Sequence, residues 1–144
     1  MDALAARTGR QYHLVDYSGD PAAERVIVIM GSGGQTAAQT AAYLAAQGEK
    51  VGVLEVRLYR PFPVAALMAA LPPSARRVAV LDRTKEPGSL GEPLFLDVLG
   101  TLAEALAGGS LGTMPLVTGG RYGLSSKESG LLFCRIRYRS SRLV

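Results

Sequence analysis

Three short apolar runs rich in β-branched residues are separated by connections of about 20 residues, which leaves room for one helix in each connection. The runs comprise residues 25–30, 51–58 and 77–81. The first run leads into Gly31-Ser32-Gly33-Gly34, which is typical of a buried parallel strand followed by a tight turn. The sequence therefore predicts parallel strands joined by right-handed crossovers.

The connecting segments carry the periodicity of helices. Residues 35–47 place alanine and leucine every three or four positions, so one face of a helix can pack on a sheet. A second apolar stripe begins after Pro63, which suits the first turn of a helix, and it ends at Pro72. The same pattern predicts a longer helix over residues 92–107.

Two further segments have the composition of strands. Residues 115–118 predict a fourth strand, and residues 12–17 predict a strand at an edge of the sheet. Strands that alternate with helices in this way indicate an α/β fold, with a mostly parallel sheet and helices on both faces.

The net charge of +4 does not describe the whole chain. Residues 129–144 contain four arginines and no acid, and without them basic and acidic residues balance. No aromatic platform or nucleic-acid-binding motif accompanies these arginines, so the charge does not favour a nucleic-acid partner. No run reaches the roughly 20 apolar residues of a membrane helix, and a signal peptide is not evident. We expect a cytoplasmic protein with no membrane partner.

The common catalytic and metal sites of proteins need histidine or cysteine, and both are rare in this chain. The chain has one histidine, His13, and one cysteine, Cys134. A cluster held by cysteine alone needs four thiolates, so Cys134 cannot support one. A Ser-His-Asp site would depend on His13, and no nucleophile motif accompanies it.

Two segments could still hold a ligand. A phosphate could lie on the glycine turn at residues 31–34, although position 36, where a dinucleotide-binding pattern needs glycine, carries Thr36. We favour a structural role for these glycines. Residues 82–88 form a dense polar segment after a predicted strand. It could be a solvated loop, a ligand site or a contact with another domain through Arg83 and Lys85.

Seven blocks of the sequence, taken in order and spacing, resemble one protein family. The blocks are residues 9–14, 24–33, 48–54, 56–62, 79–88, 91–94 and 119–128. They are similar to the second core domain of pyruvate:ferredoxin (flavodoxin) oxidoreductases. More loosely, the strand, glycine turn and Arg60-Pro61-Phe62 look like the C-terminal domain of transketolase-type thiamine enzymes.

The resemblance implies a parent enzyme that converts pyruvate and coenzyme A to acetyl-CoA and CO2 and passes electrons to ferredoxin or flavodoxin. Such an enzyme uses thiamine diphosphate, magnesium, [4Fe–4S] clusters and coenzyme A, and the resemblance implies that other domains bind them. We therefore assign no catalytic, cofactor-binding or metal residue to this chain. The candidates for contacts with other domains are Gly31, Ser32, Gly33, Gly34, Arg60, Arg83, Lys85 and Glu86.

The resemblance also predicts how the chain is organised. We expect residues 1–24 to be a linker and edge segment that follows a preceding domain, and residues 25–128 to form the α/β domain. Residues 129–144 depart from the family and form a divergent basic tail, as in a truncated or frameshifted gene. Two functions remain open at this point: a structural domain of the oxidoreductase that is inactive alone, and a free-standing phosphate- or nucleotide-binding α/β module.

Overall fold

Strands and helices alternate along residues 2–124, the part of the chain that the computed structural model describes. In chain order they are α1 (Asp2–Thr8), β1 (Val15–Gly19), β2 (Arg25–Met30), α2 (Gly34–Ala46), β3 (Val51–Val56), α3 (Val64–Ala70), β4 (Arg77–Asp82), α4 (Pro93–Ala107) and β5 (Leu116–Arg121). The predicted tail at residues 129–144 lies outside the described residues.

The five strands form one sheet in the order β1-β3-β2-β4-β5. The pairs β3-β2, β2-β4 and β4-β5 are parallel, whereas β1 pairs with β3 in the antiparallel direction. The mostly parallel α/β sheet predicted from the sequence is confirmed. The edge strand near residues 12–17 is also present, although β1 begins and ends later than the composition indicated.

Helices cover both faces of the sheet, as predicted. On one face, Ala37 and Ala41 of α2 pack against Ile29 and Val53. On the other face, α3 and α4 pack on the strands, and Leu67 of α3 is 1% exposed. Leu94, Val98 and Leu102 lie on the buried stripe of α4. Each of the fully buried leucine and valine side chains contributes roughly 1.5–3 kcal/mol of hydrophobic stabilisation.

Two strands end at other residues than predicted, and one helix is additional. Strand β3 ends at Val56 rather than at residue 58, and the Arg60–Pro61 peptide bond that follows is cis. Strand β5 runs on to Arg121, through two glycines that look like a turn in the sequence. A Cβ on Gly119 would lie 3.1 Å from the Phe95 ring, and one on Gly120 would lie 2.8 Å from Leu81. These glycines therefore permit close packing inside a strand. Helix α1 was not predicted.

Among the described residues, no helix is both long enough and apolar enough to span a membrane.

Candidate functional site

The connections of the sheet define where a ligand would be expected. The chain leaves β2 through α2 toward β3, and it leaves β4 through α4 toward β5, which lies in the opposite direction. Open α/β sheets place ligands outside the carboxyl ends of two strands whose connections diverge in this way. The crevice between the ends of β2 and β4 is therefore the candidate site, with the glycine turn on one side and residues 83–92 on the other.

Two long side chains fill this crevice. The Arg83 guanidinium donates from Nη1 to Ser32 Oγ at 2.7 Å and from Nε to the Gly123 carbonyl at 3.4 Å. The Tyr122 hydroxyl donates to the Met30 carbonyl at 2.6 Å, and burial raises the pKa of this phenol. The sequence did not single out Tyr122, because nothing local shows that its ring folds back to the end of β2.

The glycine turn is packed tightly against two other side chains. A Cβ on Gly33 would lie 2.8 Å from the Tyr122 ring, and one on Gly34 would lie 2.6 Å from Glu55 Oε1. Gly31 has a φ of +81°, a conformation that glycine adopts without strain. The Glu55 carboxylate thus lies against the first residue of α2, where an anionic ligand would otherwise meet the positive end of the helix dipole.

Asp82, at the end of β4, is fully buried and is used to hold a helix. Its Oδ1 accepts from the Leu94 N–H at 2.9 Å, and its Oδ2 accepts from the Phe95 N–H at 3.1 Å. These two N–H groups belong to the first turn of α4 and have no partner within the helix. Burial raises the pKa of Asp82, and the two N–H donors oppose that rise without cancelling it.

Glu92 fixes the far end of the polar loop, residues 83–91. It is 5% exposed, accepts from the Glu86 N–H at 2.8 Å and pairs with Arg121 of β5. Within residues 2–124, the Lys85 and Glu86 side chains are exposed and form no hydrogen bond or ion pair. The two buried acids therefore hold the loop at both ends while its charged side chains face outward.

A second charged cluster lies beyond the ends of β3 and β1. Arg57 pairs with Asp16 and, at 3.0 Å, with Glu55, and its guanidinium lies 4.8 Å from the centre of the Tyr12 ring. Burial would raise the pKa of Asp16, but hydrogen bonds from Arg57 and His13 outweigh it and hold that pKa below its ordinary value. A groove of about 560 Å³ beside this cluster is lined by Leu4, Tyr12, Gly31, Ser32, Gln35, Glu55, Val56 and Arg57.

Arg60 lies apart from the crevice, against the start of α4. Its guanidinium stacks on the Tyr59 ring at 3.8 Å and pairs with Asp97 at 2.7 Å. Burial, together with the nearby Asp97 carboxylate, raises the pKa of Tyr59 to about 12. The structure therefore brings Ser32 and Arg83 together but places Arg60 elsewhere.

Comparison with known proteins settles the family of this chain. The profile of the family described as "Pyruvate:ferredoxin oxidoreductase core domain II" matches residues 23–115. The chain belongs to this family. The resemblance found in the sequence is thereby confirmed, and the match covers β2 to α4 with all eight residues predicted as interdomain contacts, whereas Tyr122 lies beyond it.

Relatives of this core domain II are much longer proteins. A pyruvate-flavodoxin oxidoreductase from Rhodospirillum rubrum is 62% identical over 130 residues, which cover 89% of this chain and 11% of the relative. A probable pyruvate-flavodoxin oxidoreductase from Escherichia coli is 58% identical over 130 residues, or 90% of this chain and 11% of the relative. The chain thus spans about a tenth of the length of these relatives.

A solved structure has the same fold. It is a 2-oxoglutarate:ferredoxin oxidoreductase from Magnetococcus marinus with 2-oxoglutarate, coenzyme A and succinyl-CoA bound. The TM-score is 0.54 at 18% identity, and the likeness covers 88% of this chain and 20% of that chain. It shows that the α/β arrangement of core domain II occurs within a larger protein.

Four arginines described above have partners within this core domain II. Arg57, Arg60 and Arg121 each pair with an acid of the same domain, and Arg83 donates to a hydroxyl and a carbonyl. Within the described residues, no group of three or more histidines, cysteines or acids could hold a metal ion. Between the ends of β2 and β4 the crevice is therefore occupied by side chains of this chain, while the other side of the glycine turn borders the groove.

Proposed function

We propose that this chain is a structural core domain of a pyruvate:ferredoxin (flavodoxin) oxidoreductase and is not catalytic by itself. The parent enzyme converts pyruvate and coenzyme A to acetyl-CoA and CO2 and passes electrons to ferredoxin or flavodoxin. The observation that carries the proposal is the filled crevice. At the place where an α/β fold binds its ligand, Arg83 and Tyr122 hydrogen-bond to the chain itself.

The contacts with other domains are proposed for the polar loop. Asp82 and Glu92 hold the ends of this loop in place, so Lys85 and Glu86 extend from a fixed base. Because the loop is already fixed, pairing Lys85 or Glu86 with a charge on another domain costs less conformational entropy than the same pairing would on a mobile loop. Arg83 and the four glycines from Gly31 to Gly34 lie next to this loop at the crevice, whereas Arg60, paired with Asp97 on α4, would be a separate point of contact.

The cofactors of the parent enzyme belong on its other domains. Thiamine diphosphate with magnesium, [4Fe–4S] clusters and coenzyme A are proposed to bind there, and the scarcity of metal ligands in this chain supports this for the magnesium ion and the clusters. The sequence has one cysteine, and no acid or histidine cluster for a metal occurs in residues 2–124. Ferredoxin or flavodoxin would be reached through the parent enzyme, whose location we propose to be cytoplasmic.

The alternative function, a free-standing phosphate- or nucleotide-binding module, is opposed by Glu55. Its carboxylate lies against Gly34, so a phosphate on this turn would meet a negative charge. Equilibrium dialysis of the purified chain with labelled ATP and coenzyme A tests this point. Retention of either ligand, lost in a variant that fills the turn, would restore the module as the better explanation.

A chimera tests the proposed function directly. Residues 23–124 of this chain would replace the matching stretch of the Rhodospirillum rubrum relative, and pyruvate- and coenzyme A-dependent reduction of a viologen dye would be measured. We expect turnover by the chimera and none by the purified 144-residue chain under the same conditions. Turnover by the isolated chain, or a folded chimera without activity, would contradict the proposal.

A further inference from the structure

Leu90, at the tip of the polar loop, is the most exposed large apolar side chain of residues 2–124. It is 100% exposed, whereas Tyr43, the next in this part of the chain, is 66% exposed. Single exposed leucines are common on protein surfaces, and many of them lie on mobile loops. Leu90 differs from these because the backbone on both sides of it is fixed.

The residues that flank Leu90 are held in place. Ser89 Oγ donates to the Gly91 carbonyl at 2.8 Å and thereby bridges the backbone across Leu90. Gly91 lies directly against the first turn of α4, because a Cβ on this residue would collide with the Phe95 ring. The buried Glu92, which holds the end of the loop, follows immediately. Leu90 therefore has a fixed position, although nothing in the described part of the chain covers it.

The side chains around Leu90 have the arrangement of a small interdomain contact. Such contacts commonly have an apolar centre that is surrounded by polar and charged groups. Lys85 and Glu86 are exposed, have opposite charges and lie on the same loop as the leucine. A contact through Leu90 would remove its apolar surface from water, and the fixed loop would lose little conformational entropy. Both effects favour a contact through this side chain.

A partner surface for Leu90 has to be sought outside this chain. The groove in the described residues is lined by the charged side chains of Glu55 and Arg57. An isobutyl group in this groove would take these charges away from water without giving them a new partner, so a second copy of the chain is a poor occupant. The matched stretch is 11% of each of two relatives, and the rest of such a polypeptide can supply the surface.

We propose that Leu90 is the apolar anchor of a contact between core domain II and another domain of the same parent polypeptide. That domain provides an apolar pocket for the isobutyl group, with an acid placed to meet Lys85 and a base placed to meet Glu86. The inference rests on the proposed function, because it assumes that the chain works within a larger enzyme. It goes beyond that function by placing the centre of the contact at an apolar side chain.

Cysteine labelling tests the contact. Leu90→Cys is introduced into the 144-residue chain with Cys134→Ser, and separately into the Rhodospirillum rubrum chimera that carries residues 23–124. Maleimide labelling of the peptide that contains the introduced thiol is followed by mass spectrometry. We expect a rate in the isolated chain within about 3-fold of that in urea, and a rate about 100-fold slower in the chimera, because a covered thiol reacts only after local opening. Equal rates in the isolated chain and the chimera would overturn the proposal.

Two comparisons make the labelling result specific. Leu106→Cys, at the far end of α4, replaces a side chain that is 40% exposed and should label at similar rates in both contexts. Equal slowing at positions 90 and 106 would overturn Leu90 as the particular point of contact. Slow labelling at position 90 in the isolated chain would show that this chain or a second copy covers it, which also overturns the proposal.

Photo-crosslinking identifies what covers Leu90. A diazirine-bearing aliphatic amino acid is encoded at position 90 of the chimera, and the peptides that crosslink on irradiation are identified by mass spectrometry. We expect peptides from a different domain of the relative. Crosslinks confined to core domain II of the same or a second copy, or to the segment that directly follows this domain, would overturn the assignment.

The two proposals fail in different ways. An active chimera in which the thiol of the Leu90→Cys variant remains fast to label overturns the Leu90 contact and leaves the proposed function intact. A folded but inactive chimera in which this thiol is protected overturns the proposed function and supports the contact. A folded, inactive chimera with a fast thiol overturns both.

Discussion

The same substitution at two glycines should change stability in opposite directions. Gly33 precedes α2 with φ of −77° and ψ of −16°, a conformation open to alanine, but a Cβ there would lie 2.8 Å from the buried Tyr122 ring and 3.0 Å from Ile29 Cδ1. Gly100 lies within α4, and a Cβ there would have no neighbour within 4 Å. The pair therefore separates the cost of crowding from the intrinsic effect of adding a methyl group.

The expected magnitudes follow from these contacts. Gly100→Ala should stabilise the chain by about 1 kcal/mol, the difference in helix propensity between alanine and glycine. Gly33→Ala stabilises the chain by about 0.5 kcal/mol, because alanine reduces the conformational entropy of the unfolded state. The added methyl group must also displace the buried Tyr122 ring, which is hydrogen-bonded to Met30, and such overpacking costs roughly 1–3 kcal/mol. We expect a net loss of about 1.5 kcal/mol for Gly33→Ala.

Urea denaturation followed by circular dichroism measures both variants in the 144-residue chain. The midpoint should rise for Gly100→Ala and fall for Gly33→Ala with an unchanged slope, since both native states remain compact. Thermal midpoints should move by about 4 °C for each kcal/mol. If Gly33→Ala is as stable as Gly100→Ala, the Tyr122 ring does not press on the turn, and the case for a filled crevice is refuted.

Three further outcomes are expected. Leu94→Ala, at a fully buried position, should lower the free energy of unfolding by about 3 kcal/mol, whereas Leu96→Ala, at a position 38% exposed, should lower it by less than about 1 kcal/mol in the same urea assay. The pKa of Asp16 is lowered in the folded state, so the ionised carboxylate stabilises the fold above its unfolded pKa, and this stabilisation is lost as the pH falls through the folded pKa. Asp16→Asn should therefore reduce the loss of unfolding free energy at acid pH, measured by urea denaturation at a series of pH values. Arg121→Ala removes the half-exposed ion-pair partner of the buried Glu92 carboxylate and should destabilise the chain by about 1 kcal/mol, with faster amide exchange in the polar loop. Exchange equal to that of the unchanged chain would contradict the role of Glu92 in holding the loop.

The fold could be predicted from local patterns because its strands and helices have distinct periods. The valine and isoleucine runs of β2 and β4 and the apolar stripe of α4 each determine an element without reference to the rest of the chain. Gly119 and Gly120 misled the prediction, since glycine marks turns in most sequences. Here they are needed because Phe95 and Leu81 lie too close for a side chain. This proximity arises from the tertiary structure and cannot be read from the local sequence.

The candidate site was less predictable for the same reason. Ser32 and Arg83 were both singled out, but only the pairing of β2 with β4 brings residues so distant in sequence into contact. Asp82 looked like the start of a solvated loop, whereas it is buried against the first turn of α4. Polar residues at the end of a strand can face solvent, a ligand or a helix end, and the sequence around Asp82 does not distinguish these environments.

The clamped polar loop has a practical consequence. Since Asp82 and Glu92 fix the two points where this loop leaves the domain, the distance between its ends does not depend on what lies at the tip. Gly88 and the fully exposed Leu90 make up that tip, and Gly88 already has a φ of +83°. A short peptide epitope or a fluorophore attachment site could be inserted after Gly88 at little cost in loop-closure entropy. Such a reporter would sit beside Lys85 and Glu86, where it could register the approach of a neighbouring domain in real time.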